Sequence, residues 1–170
     1  MTASDDTPGD DAAGLDRTGK LHLTRAAPDG EGEPITGLPF SREIGMRLHR
    51  AEDGVAVVSV PYDERLVGDP ETGVLHGGVI TALLDTACGW AVMATAVKLK
   101  STATLDLRID YMRPATVGET VFSRAECYRL TRSIGFARAV AYHSDPSDPV
   151  ATAQGAFILD RADDTEGHLR

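Results

Sequence analysis

Asp85 is the one charged side chain in a long apolar run, with no other charge for a dozen residues on either side. A lone carboxylate is expensive to bury along an apolar helix, so chemistry is the strongest reason for its presence. The run opens with Gly73-Val74-Leu75-His76-Gly77-Gly78. Two consecutive glycines at a helix start leave backbone N–H groups bare at the positive end of the helix dipole, where developing negative charge can be held. A candidate oxyanion site, Gly77 with Gly78, and a candidate base thus share one short segment. His76 either caps this helix or orients what binds there, and both roles stay open.

The elements that must position these groups follow from periodicity. From Gly77 to about Val97 the apolar residues fall on nearly every side, which predicts a helix buried all round. Thr81, Asp85 and Thr86 interrupt the run below the ~20 apolar residues a membrane span needs. Residues 44–50 and 55–62 read as two strands joined at Glu52-Asp53-Gly54, a hairpin signal. From Thr102 the sequence alternates, placing Ala103, Leu105, Leu107, Ile109 and Tyr111 on a buried face and Thr102, Thr104, Asp106, Arg108 and Asp110 on a polar one. Further strands are predicted over 120–130, 134–143 and 150–159, separated by polar turns. The order of two strands, one long helix and four strands gives an α+β fold in which an antiparallel sheet wraps a single helix.

Composition bounds the rest. The 170 residues carry a formal net charge of −9, which argues against nucleic acid as a partner because phosphate binding needs a basic face. Residues 1–35 hold eight acidic against three basic side chains. An acidic tail over 1–38 that buries too little apolar surface to order itself is therefore expected, followed by a domain over 39–160 and a polar, frayed end over 161–170. Cys88 and Cys127 are the only cysteines, which suggests reduced thiols and a cytoplasmic location. The five histidines show no ligand spacing, so neither a metal nor another cofactor is expected.

The segment from Gly73 to Met93, with His-Gly-Gly and an aspartate nine residues after the histidine, resembles the hotdog-fold acyl-CoA thioesterases of the phenylacetate-pathway (PaaI-like) type. Leu105 to Ala115, ending Tyr-Met-Arg-Pro-Ala, is similar to the strand and turn that follow the helix in that family. The resemblance spans roughly residues 44–159. It implies hydrolysis of an acyl-CoA to the free acid and coenzyme A, no cofactor beyond the coenzyme A of the substrate, and a homodimer whose sheets pair edge to edge, with a dimer of dimers as the expected higher assembly. It also implies a role for Thr104, at the position of a Ser or Thr that assists the water or the carboxylate. Many members carry an asparagine in the loop before the helix, where this chain reads Gly68-Asp69-Pro70-Glu71-Thr72.

Gly77 and Asp85 stand eight residues apart, hence about 12 Å along one helix. They cannot act together on one thioester carbon, so a site using both takes Gly77 from one subunit and Asp85 from another. There the Gly77 N–H polarises the carbonyl, and Asp85 acts as general base on water or as a nucleophile giving a mixed anhydride. Arg113, and Arg132 beside Ser133, are the candidate contacts to the coenzyme A phosphates. Two rivals remain: a non-catalytic acyl-CoA-binding module of the same fold, and a hotdog hydratase or dehydratase, for which a paired acid and base are not apparent.

Overall fold

The computed structural model describes residues 14–15, 21–22, 31–95 and 99–161. The expected disorder of the N-terminal tail falls largely outside these residues, as do positions 96–98 and 162–170; the helix predicted to about Val97 stops at Met93, with Ala94 as its C-cap. In chain order the elements are β1 (Gly14–Leu15), β2 (Leu21–His22), β3 (Glu33–Pro34), α1 (Pro39–Glu43), β4 (Arg47–Glu52), β5 (Val55–Val60), β6 (Val67–Asp69), β7 (Val74–Leu75), α2 (Gly77–Met93), β8 (Leu99–Tyr111), β9 (Val121–Leu130), β10 (Ile134–Tyr142) and β11 (Ala151–Arg161). A 3-10 turn, Glu64–Leu66, precedes β6. Seven strands form one antiparallel sheet in the order β3-β4-β5-β9-β10-β11-β8, while β1 with β2 and β6 with β7 make separate pairs. The α+β architecture of one long helix on an antiparallel sheet is the one expected from the sequence.

The β4–β5 hairpin turns where anticipated. Asp53 (φ 50°) and Gly54 (φ 76°) both take the left-handed conformation, the two-residue turn whose twist matches that of the flanking strands. The sheet starts earlier than residue 39: β3 pairs with β4, and the Ile35 N–H donates to the Met46 carbonyl at 3.0 Å. Ile35 is buried in the core, so residues 33–38 belong to the domain. The polar composition around them hid this, because one isoleucine in a short edge strand makes no periodic pattern.

Helix α2 packs on β5, β8, β9, β10 and β11. Val79, Ile80, Leu83, Leu84, Ala87, Cys88, Ala91 and Val92 form its buried side. The sheet meets it with small residues, Ala125, Ala137, Ala139, Ala141, Ala151 and Ala153, all buried, which let the helix sit close to the strands. Burial all round is corrected: Gly78 and Thr81 are exposed, and Ala82, Asp85, Thr86, Gly89 and Met93 are only partly covered. These residues recur at helical spacing and make one stripe. Thr81, Asp85 and Thr86 were its polar signal, and Gly78, Ala82 and Gly89, which count as apolar in a sequence while burying little area, masked the rest. Among the described residues no helix is long and apolar enough to cross a membrane.

Strand β8 also departs from its expected two-faced pattern. Asp106 pairs with Ala156 and Thr104 with Phe157, so Leu105 is an extra residue, a β-bulge. The bulge reverses which side chains face the helix. Before it, Thr102 and Thr104 point to α2; after it, Leu107, Ile109 and Tyr111 do. Leu105 is left outward and 55% exposed. The bulge has a matching gap opposite, for a Cβ on Gly155 would lie 2.6 Å from the Asp106 carbonyl oxygen.

Candidate active site

The first turn of α2 carries backbone N–H groups that the helix itself cannot satisfy. His76 sits at the N-cap in an extended conformation, and its Nδ1 accepts the Gly78 N–H at 2.9 Å. The Val79 N–H donates to the His76 carbonyl at 2.9 Å. The Gly77 N–H, at the first position of the helix, has no acceptor within the helix. The start of the helix is tied down on both sides. The His76 N–H donates to the Leu66 carbonyl at 2.9 Å, and the Tyr111 hydroxyl donates to the Gly77 carbonyl at 2.9 Å, 2.8 Å from the Thr81 hydroxyl. Tyr111 and Thr81 were not anticipated as site residues; the tyrosine in the Tyr-Met-Arg-Pro segment was the available signal.

Two turns on, Asp85 is partly buried, and its Oδ1 accepts a hydrogen bond from Thr104 Oγ1 at 2.7 Å. This contact exists because of the bulge at Leu105, without which Thr104 would lie on the other face from Tyr111. A hydroxyl donating to a carboxylate fixes its rotamer and leaves the second oxygen to take a proton from water. Asp85 and Thr104 line a cavity of about 580 Å³ that continues past Thr86, Gly89, Trp90 and Met93.

The expected phosphate contacts are not brought together. The Arg113 guanidinium is paired with Asp148, 2.8 Å away, and its backbone N–H meets the Val150 carbonyl, at the start of β11. Arg132 and Ser133 lie beside the opposite end of β11, where their carbonyls accept from Arg161 Nε and the Leu159 N–H. About 30 Å of strand separates the two groups, so one chain cannot close both around a single phosphate cluster. In the loop before the helix, the Asp69 carboxylate accepts from the Thr72 hydroxyl at 2.7 Å and the Glu71 N–H at 3.0 Å. These bonds, the hydroxyl's first, hold its carboxyl below the usual range. Its oxygens serve the loop's own turn.

Cys88 is no rival nucleophile. Burial foremost, and then the charge of nearby Asp85, push its thiol up to about 12, and a protonated thiol is inert. No group of three or more potential ligands among the described residues gathers into a metal site.

Comparison with known proteins identifies the family. Residues 72–150 match the family model of the thioesterase superfamily. The chain is 34% identical over 128 residues to a putative esterase of Halobacterium salinarum, covering 71% of this chain and 83% of the relative. The chain belongs to the thioesterase superfamily. It is also 29% identical over 135 residues to the medium/long-chain acyl-CoA thioesterase YigI of Escherichia coli, with 72% of this chain and 86% of YigI covered. Among solved structures, a mutant of the phenylacetic acid degradation protein PaaI from Thermus thermophilus superposes with a TM-score of 0.62 at 27% identity, covering 71% of this chain and 98% of that one. The hotdog fold and the PaaI-like resemblance expected from the sequence are thereby shown. His76, Gly77, Asp85 and Thr104 all fall within the part matched to the thioesterase superfamily, whereas residues 33–38 precede it.

Proposed function

We propose that this member of the thioesterase superfamily hydrolyses acyl-CoA thioesters, with the Thr104–Asp85 pair as its base and the Gly77 N–H as its oxyanion donor. The observation that carries the proposal is the 2.7 Å hydrogen bond from Thr104 to Asp85 at the edge of an apolar cavity. Thr104 orients the Asp85 carboxylate; Asp85 takes the proton of a water as that water attacks the thioester carbon. The oxyanion is held by the Gly77 N–H, and the coenzyme A thiolate leaves without strong acid assistance because it is a good leaving group. The name of YigI supports acyl-CoA as the substrate class.

The site is composite in this reading, since about 12 Å of helix lies between Gly77 and Asp85. Features of the sheet support a homodimer. One edge is the two-residue β3, ending in Pro34, which is a blunted edge. The other is the thirteen-residue β8, largely exposed, with Leu105 and Tyr111 each more than half accessible. A long open edge with apolar side chains invites pairing with a second copy. Antiparallel β8–β8 pairing brings two α2 helices side by side in opposite directions, with each Asp85 near the partner's helix start.

Purified protein assayed for coenzyme A release, beside an Asp85→Asn variant, tests the proposal. Turnover by the parent and a loss of about 10² or more in the variant are expected. No turnover of any thioester would leave the binding-module alternative.

A further inference from the structure

Asp85, Gly89 and Met93 form one row along α2, at i, i+4 and i+8, and all three line the cavity that begins at the carboxylate. Its far side is supplied by Thr102 and Phe157, and its roof by residues 33–38, the segment that the sequence pattern had placed outside the domain. The roof is anchored by buried Ile35. Ile35, Leu38, Leu48, Trp90, Met93 and Phe157 supply apolar wall to the cavity, with the polar Glu33 and Ser101 also on the lining. Gly89 is the one position of the row that carries no side chain. A Cβ built there meets only Thr102 Cγ2, at 3.8 Å, so a side chain of any length would grow into the cavity itself.

We propose that this cavity is the channel for an unbranched acyl chain of about ten carbons, roofed by residues 33–38 and kept open by the missing side chain at Gly89. The inference rests on the thioesterase reading and deepens it by naming the acyl class. Its length comes from the helix: Asp85 to Met93 is eight residues, about 12 Å, and an extended chain advances about 1.25 Å per carbon given C–C bonds near 1.5 Å. Gly89 lies about 6 Å from Asp85 on the same scale. A four-carbon acyl group ends before it, and a ten-carbon group must pass it. Such a cavity volume is ordinary for a small-molecule site, and each methylene it takes from water favours the longer chain.

The test compares butyryl-CoA and decanoyl-CoA on the full-length protein, Gly89→Leu and Met93→Ala. The parent should favour decanoyl-CoA by about tenfold or more in kcat/KM, given the discrimination that buried methylenes provide. Gly89→Leu should lose at least about tenfold more on decanoyl-CoA than on butyryl-CoA. Met93→Ala, which removes bulk at the far end, should raise activity on tetradecanoyl-CoA relative to decanoyl-CoA and supplies the test if Gly89→Leu fails to fold. Trp90 is the chain's single tryptophan, so decanoyl-CoA added to Asp85→Asn should change its fluorescence, and butyryl-CoA should change it far less. Equal losses on both substrates in Gly89→Leu, or a parent with no preference, would overturn the channel. Binding of decanoyl-CoA seen by Trp90 with no turnover of any thioester would uphold the channel and overturn the catalytic reading.

Discussion

Thr104 Oγ1 donates to Asp85 Oδ1 across 2.7 Å, joining the edge strand to the middle of the central helix. The bond does not follow from the alternation of β8; it follows from Leu105, the inserted residue that turns Thr104 toward the helix while keeping Tyr111 on the same side. A hydrogen bond to a charged group is worth about 1.5–3 kcal/mol, so Thr104→Val should lower turnover by about ten- to a hundredfold. Thr104→Ser should restore most of it. Kinetics that leave Thr104→Val at the parent's kcat would remove this residue from the mechanism.

Gly155 is the counterpart of the bulge, with no room for a Cβ against the Asp106 carbonyl. Gly155→Ala should destabilise the fold by about 1–3 kcal/mol, as overpacking does. Because the strain falls beside Thr104, activity at temperatures where the variant is still folded should also drop. A variant with the parent's melting temperature and activity would show that the strand accommodates the methyl group freely.

How much of this was legible in the sequence depends on which physical signal each residue leaves. Asp85 announced itself by its charge in an apolar run, and Gly77 by its place beside a second glycine at a helix start. The β4–β5 turn was readable because Asp53-Gly54 is the pair that such a turn demands. Thr104 was reached through family resemblance; alternation alone placed it on the face away from Tyr111, since one inserted residue cannot be seen in a period of two. The roof over residues 33–38 and the open stripe on α2 left little pattern. One is too short to be periodic, and in the other Gly78, Ala82 and Gly89 masked the polar signal of Thr81, Asp85 and Thr86.

His76 uses Nδ1 to cap α2. Loss of an N-cap costs about 1 kcal/mol, so His76→Ala should melt a few degrees lower. A frayed first turn would also misplace the Gly77 N–H and lower turnover. His76→Asn, which keeps a capping acceptor, should recover both properties. Recovery of the melting temperature without recovery of turnover would assign the imidazole a part beyond the cap.

Alkaline pH should reveal Cys88. Its thiol is raised from 9.0 to about 12, chiefly by burial, so the folded chain keeps a proton that the unfolded chain releases. The resulting stability is complete below about pH 9 and is lost progressively as pH rises toward the folded value. Unfolding midpoints measured from pH 8 to 11 should fall with pH, and the fall should be shallower in Cys88→Ala. Tyr142, also raised by burial, should account for part of the slope that remains. An identical slope in parent and variant would mean that Cys88 ionises freely in the folded state.

The composite site is the central claim, and subunit mixing measures it most directly. Gly77→Pro removes the N–H at a first helical position, where proline is well tolerated, and His76 already holds the extended conformation a residue before proline prefers (ψ 133°). Gly77→Ala, whose Cβ would come no nearer than 3.5 Å to Tyr111, keeps the N–H and should stay active. Asp85→Asn and Gly77→Pro should each be inactive alone. Equal amounts mixed and allowed to exchange give about half heterodimers, each with one site that has both residues intact, so about a quarter of the parent's activity should return. If mass measurement confirms exchange and activity stays at the level of the separate variants, Gly77 and Asp85 do not meet across a subunit boundary, and the oxyanion donor must be sought in the same chain as Asp85.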